Sequence, residues 1–85
     1  MNWELVGFVK ASKYRTNILS ALSTRNKTPI ELKKELKMYI THVSSTLKQL
    51  ETKNIVECLT PNLRKGKIYS LTKIGEELIE FLKKK

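Results

Sequence analysis

Apolar residues recur every three or four positions through the first fifty residues, then every second position from about residue 55. Helices followed by a pair of short strands are therefore the expected order. Residues 3–9 are mostly apolar and predict a short first helix. From Tyr14 to Leu22 the set Tyr14, Ile18, Leu19, Ala21 and Leu22 forms a helical stripe, with Ser12 as its N-cap. The polar run Ser23-Thr24-Arg25-Asn26-Lys27 breaks it. Thr28-Pro29-Ile30-Glu31 then combines an N-cap, a proline at the first helical position and a glutamate three residues after the cap, which is a capping box. It opens a short helix that ends near Lys37 and turns Ile30, Leu32 and Leu36 inward. After a brief turn at residues 38–40, Thr41 caps a third helix over 41–53 with the stripe Val43, Leu47 and Leu50. Asn54 takes the left-handed conformation that stops it.

Residues 55–59 and 68–71 read as strands, and Pro61, Asn62 and Gly66 make the segment between them a long hairpin loop. Thr72 caps a last helix over 72–85 that buries Ile74, Leu78, Phe81 and Leu82 and leaves Ile79 exposed. Its end, Lys83-Lys84-Lys85, places cations where the helix dipole favours them. The predicted fold is mainly α with a small β-hairpin (α+β): a winged helix-turn-helix with a three-helix core, a wing hairpin and a C-terminal helix. The helix-turn-helix covers about 28–53, the wing about 55–71 and the C-terminal helix about 72–85, all within one domain, 1–85.

Size and composition narrow the function. Eighty-five residues support one core and leave little room for a substrate cavity, which disfavours an enzyme. Seventeen Lys and Arg against eight Asp and Glu give a net charge of +9, so a polyanion or an acidic surface is the expected partner. Residues 10–37 carry eight cations and two carboxylates, a net +6; residues 72–85 contribute +1. A single cysteine, Cys58, permits no internal disulfide and suits a reducing, cytoplasmic compartment. No apolar run approaches the ~20 residues of a membrane span, and the N-terminus is a poor signal peptide.

A short capped helix, a turn and a helix with a polar outer face suit the major groove of double-stranded DNA, which admits one α-helix. With Val43, Leu47 and Leu50 inward, Thr41, Ser45, Lys48, Gln49 and Thr52 point outward, flanked by His42 and Ser44, and no acid intervenes before Glu51. The hairpin loop adds Arg64, Lys65 and Lys67 around Gly66, with no carboxylate from Thr60 to Ser70, and suits the backbone or minor groove. Lys13 and Arg15, on the most basic segment, complete the candidate DNA-binding set. The competing reading is a solvated helix face and a turn whose lysines blunt strand edges. Engaging about six phosphates would give a log–log salt slope near −5.

Four motifs carry a family resemblance that spans Phe8 to Leu82: residues 8–15 (FVKASKYR), 28–32 (TPIEL), 43–51 (VSSTLKQLE) and 68–75 (IYSLTKIG). They resemble small archaeal winged-helix transcriptional regulators of the ArsR/MarR-like group. The resemblance implies a recognition helix at 41–53, a wing at 60–67 and a homodimer. Ser45 stands where relatives often carry Arg or Lys, and Asn54 replaces a usual glycine. Metal sensing is not expected, because His42 and Cys58 are one of each and a site needs three or four convergent ligands. Cys58 reads as a small buried hydrophobe, and no cofactor is implied. Trp3, Leu5, Val6, Phe8 and Val9 would pack on Ile74, Leu78, Ile79 and Leu82 within one subunit or across two. The alternative function is a winged helix that docks on an acidic protein within a transcription assembly. RNA binding ranks last, because most of the six aromatics are expected in the core.

Overall fold

The computed structural model describes residues 2–83. The elements run α1 (Trp3–Lys10), α2 (Lys13–Leu22), α3 (Pro29–Leu36), α4 (Ile40–Thr52), β1 (Val56–Cys58), β2 (Tyr69–Leu71) and α5 (Lys73–Lys83). Local chemistry starts most of them. Asn2 accepts from the Glu4 and Leu5 amides at the head of α1, and Ser12 Oγ accepts from the Arg15 amide at the head of α2. The capping box of α3 is complete: Thr28 Oγ1 accepts from the Glu31 amide, and Glu31 Oε1 accepts from the Thr28 amide. Thr72 Oγ1 accepts from the Gly75 amide to cap α5, and donates to the Asn54 carbonyl at 2.7 Å. Lys84 and Lys85, expected to extend α5, lie outside the described residues.

The turn between α3 and α4 falls one residue earlier than expected, at residues 37–39. Lys37 adopts φ 55°, ends α3 and sends its amide back to the Lys33 carbonyl. Tyr39 is then the N-cap of α4, with its carbonyl accepting from the His42 and Val43 amides. Thr41, expected as the cap, lies inside the first turn instead, and α4 has no side-chain cap. Asn54 does take the left-handed conformation, at φ 61°.

The two strands pair antiparallel with Cys58 opposite Tyr69 and Val56 opposite Leu71. Lys27 adds an unexpected bridge on the other edge of β2: its amide donates to the Tyr69 carbonyl at 3.1 Å and its carbonyl accepts from the Tyr69 amide at 2.8 Å. The hairpin is thereby attached to the segment that precedes α3. The Leu59 amide bonds the Ile68 carbonyl and the Ile68 amide bonds Thr60 Oγ1, closing the base of the loop.

The core is aliphatic, built on Val9, Ile18, Leu19, Leu32, Val43, Leu47, Leu50, Ile55, Val56 and Leu78. None of the six aromatics is fully buried, contrary to expectation: Trp3, Tyr14 and Tyr39 are exposed and Phe8, Tyr69 and Phe81 are half-buried. Ile30, expected inward, is 52% exposed. Two residues before Leu32, it points some 200° around the helix from that buried side chain, so both cannot face the core. Ile79, expected exposed, is buried, because α5 packs against both α2 and β2 and covers two adjacent positions. Cys58 is half-buried as a free thiol. Lys27, counted with the surface cations, is buried; its ammonium bonds Glu35 Oε1 at 2.8 Å and Thr24 Oγ1 at 3.1 Å.

Candidate nucleic-acid interface

Helix α4 buries Val43, Thr46, Leu47 and Leu50 and exposes Thr41, His42, Ser44, Ser45, Lys48, Gln49 and Thr52. Its outward side follows directly from the 3.6-residue period. Two different neighbours flank that side. Ser44 faces the wing and the start of α3, in an open groove that Pro29, Ile30, Arg64, Lys65 and Lys67 also line. Gln49 and His42 face the start of α2.

The wing flank is cationic. Arg64 and Lys65 are exposed and Lys67 half-buried, and the loop turns at Gly66, whose φ of 69° suits glycine. Ile30 and Pro29 give the groove an apolar floor, which explains why an exposed isoleucine stands at the head of α3. Tyr69 closes its base; burial, then the nearby Cys58 and Glu51, raises its phenol above the ordinary value and keeps it neutral.

The α2 flank is ordered by aromatic and hydrogen-bonded contacts. The His42 ring lies 4.9 Å from the Tyr14 ring and meets Tyr39 edge-on at 5.8 Å, forming an exposed aromatic cluster at the head of α4. Tyr14 sits there because it occupies the outer edge of the α2 stripe, not the core. Arg15 is committed: it donates to the Phe8 carbonyl at 2.7 Å and to Gln49 Oε1 at 3.1 Å, and its guanidinium stacks 3.9 Å over the Phe8 ring. Lys13 is exposed one turn-start away. Of the residues expected at the interface, α4 and the wing thus bring together Thr41, His42, Ser44, Ser45, Lys48, Gln49, Arg64, Lys65 and Lys67. Arg15 joins that face through its bond to Gln49. Tyr39 and Tyr14 were not expected there; their signal in the sequence is a tyrosine immediately before α4 and another on the exposed edge of α2.

Elsewhere the basic segment is internally neutralised in part. Arg25 bonds Glu31 Oε2 at 2.9 Å, and the Glu31 carboxyl is held below its ordinary value first by the Thr28 amide and then by Arg25. Among the described residues, no three His, Cys, Asp or Glu side chains converge as metal ligands, and no helix is long and apolar enough to cross a membrane.

A helix-turn-helix with a basic wing matches a known family model, that of the HxlR-like helix-turn-helix, over residues 9–84. The chain belongs to the HxlR-like helix-turn-helix family. No curated protein matches it by sequence. Among solved structures, this HxlR-like chain is similar to MarR from E. coli in its reduced form, with 30% identity and a TM-score of 0.75, covering 91% of this chain and 58% of that one. A MarR family transcription regulator shares 27% identity at a TM-score of 0.78, covering 86% of this chain and 50% of the other. HlyU from Vibrio cholerae, at 22% identity, has the same fold with a TM-score of 0.79 and covers 95% of this chain and 88% of its own. The chain spans about half the length of the MarR family structures it matches.

Proposed function

We propose that the chain is a sequence-specific, double-stranded-DNA-binding transcriptional regulator that acts in the cytoplasm. The observation that carries this reading is the groove in which the outward face of α4 meets the cationic wing, with Ser44 opposite Arg64, Lys65 and Lys67. A helix of that kind fits the major groove, and a basic hairpin beside it reaches the flanking backbone or minor groove. The relation to MarR family transcription regulators and the HxlR-like family supports it. Thr41, His42, Ser44, Ser45, Lys48 and Gln49 then meet base edges and phosphates, while Arg64, Lys65, Lys67 and Lys13 supply charge.

The reading includes a homodimer. Trp3 is 65% exposed and packs edge-on against Phe81 at 5.3 Å, so α1 and α5 offer an apolar surface at one end of the molecule. A two-fold pair places two recognition helices about 34 Å apart, on half-sites one helical turn apart.

Selection of bound duplexes from a random pool at physiological salt tests function and symmetry together. Enrichment of a pseudopalindromic motif is expected. Absence of any enriched motif would sink the DNA reading and favour docking on an acidic protein.

A further inference from the structure

Gln49 is an outward residue of α4 whose polar head is already engaged by a neighbouring helix, and the identity of its partner fixes how the head is turned. A glutamine amide carries one oxygen acceptor and two N–H donors, whereas a guanidinium only donates. The atom that Arg15 Nε meets at 3.1 Å is therefore Oε1. Arg15 is itself held by its bond to the Phe8 carbonyl at 2.7 Å and by its stack on the Phe8 ring at 3.9 Å. Gln49 is exposed beyond this contact, and its two Nε2 hydrogens have no partner among the described residues.

We infer that Arg15 is a positioning residue that makes Gln49 a reader of hydrogen-bond acceptors, so that Gln49 selects guanine over adenine at one position of the bound site. This rests on the DNA reading proposed above. A glutamine recognises adenine by donating to N7 and accepting from the N6 amino group at once. Here the accepting half is turned towards α2. The remaining lone pair of Oε1 lies beside a fixed positive group, which repels the hydrogens of a base amino group. Guanine offers N7 and O6 in the same place, both acceptors, and satisfies the two donors that remain.

The experiment compares duplexes that differ by guanine or adenine at each position of the selected motif, with binding followed by fluorescence anisotropy. Gln49→Ala identifies the position that Gln49 reads. Arg15→Met keeps the unbranched stem and removes the guanidinium; it frees Oε1, and the guanine-to-adenine affinity ratio at that position is expected to fall at least about fivefold, with other positions unmoved. Gln49→Glu keeps the bond to Arg15, has no donor, and should abolish the same preference; being exposed, it decides the matter even if Arg15→Met fails to fold. A wild-type preference for adenine there overturns the proposal and leaves the DNA reading standing. So does a Gln49→Ala variant that moves no position, or a ratio that Gln49→Glu leaves unchanged. A pool with no enriched motif overturns both.

Discussion

The ion pair between buried Lys27 and exposed Glu35 makes an asymmetric prediction. Lys27 has 4% of its side chain exposed, whereas Glu35 has 46%. Removing the carboxylate by Glu35→Ala leaves a buried ammonium with Thr24 Oγ1 as its remaining partner among the described residues. Stranding one charge of a buried pair costs ~3–5 kcal/mol, and the exposure of Glu35, through which water can enter, lowers the expectation to about 2 kcal/mol. For a domain of this size that is a fall in Tm of roughly 8–16 °C. Lys27→Met is the converse change. It removes the charge and fills the same volume with an apolar chain, Glu35 returns to water, and Thr24 Oγ1 keeps its bond to the Ala21 carbonyl at 2.8 Å. Replacing a buried charge by a hydrophobe of similar volume is close to neutral. Adding Glu35→Ala to Lys27→Met should then cost no more than about 0.5 kcal/mol, as a surface change does. Thermal and urea denaturation of the four proteins measure the cycle. If Glu35→Ala destabilises no more than Lys27→Met, burial of the ammonium is not what makes the pair matter, and the reasoning fails.

Gly75→Ala should destabilise by about 1–3 kcal/mol, because an added Cβ would collide with the Ile55 carbonyl oxygen and force α5 off the hairpin; an unchanged urea midpoint would refute it. Glu31 has its carboxyl lowered by the Thr28 amide and Arg25, so its ionised form stabilises the fold above the carboxylate range, and that contribution fades as pH falls through its folded value. Glu31→Gln keeps a capping side chain without the charge, so the Tm gap from wild type should shrink from neutral pH to about pH 2, and a constant gap would count against it. Replacing Arg64, Lys65 and Lys67 by alanine together should weaken binding to specific and random duplex alike and reduce the salt slope by about 3 per chain; an unaltered slope would remove the wing from the phosphate contacts.

What could be read from the sequence was what neighbouring residues decide. The Thr28–Glu31 box, the Ser12 and Thr72 caps and the Val43–Leu47–Leu50 stripe are each set within one or two turns, and each appears where expected. The outward set of α4 follows from the same period. The errors lie where distant elements meet. Lys27 is buried because Glu35 and the backbone of Tyr69 close over it, and Tyr69 is 42 positions away. Arg15 and Gln49 are 34 residues apart, and only the packing of α2 beside α4 joins them. The exposed tyrosines were misplaced for a related reason. Aromatic residues suggest a core, but Tyr14 and Tyr39 find their packing partner in His42, on the surface.

These pairings also redistribute the charge. The segment 10–37 holds a net +6, yet three of its cations are engaged inside the molecule: Lys27 with Glu35, Arg25 with Glu31, and Arg15 with Phe8 and Gln49. Two of these are ion pairs and carry little field far from the surface, while the third is tied to Phe8 and Gln49. The cations of the expected interface that remain are then Lys13, Lys48, Arg64, Lys65 and Lys67. If Lys48 is spent on a base, four remain for phosphate, and the log–log salt slope for one chain becomes about −3.6 instead of the −5 that six contacts would give. A two-fold dimer doubles it. The slope therefore separates the two sources of charge. A value near −3.6 per chain assigns attraction to the wing and the start of α2, whereas a steeper one brings in further exposed cations, among them Lys33, Lys34, Lys37 and Lys53.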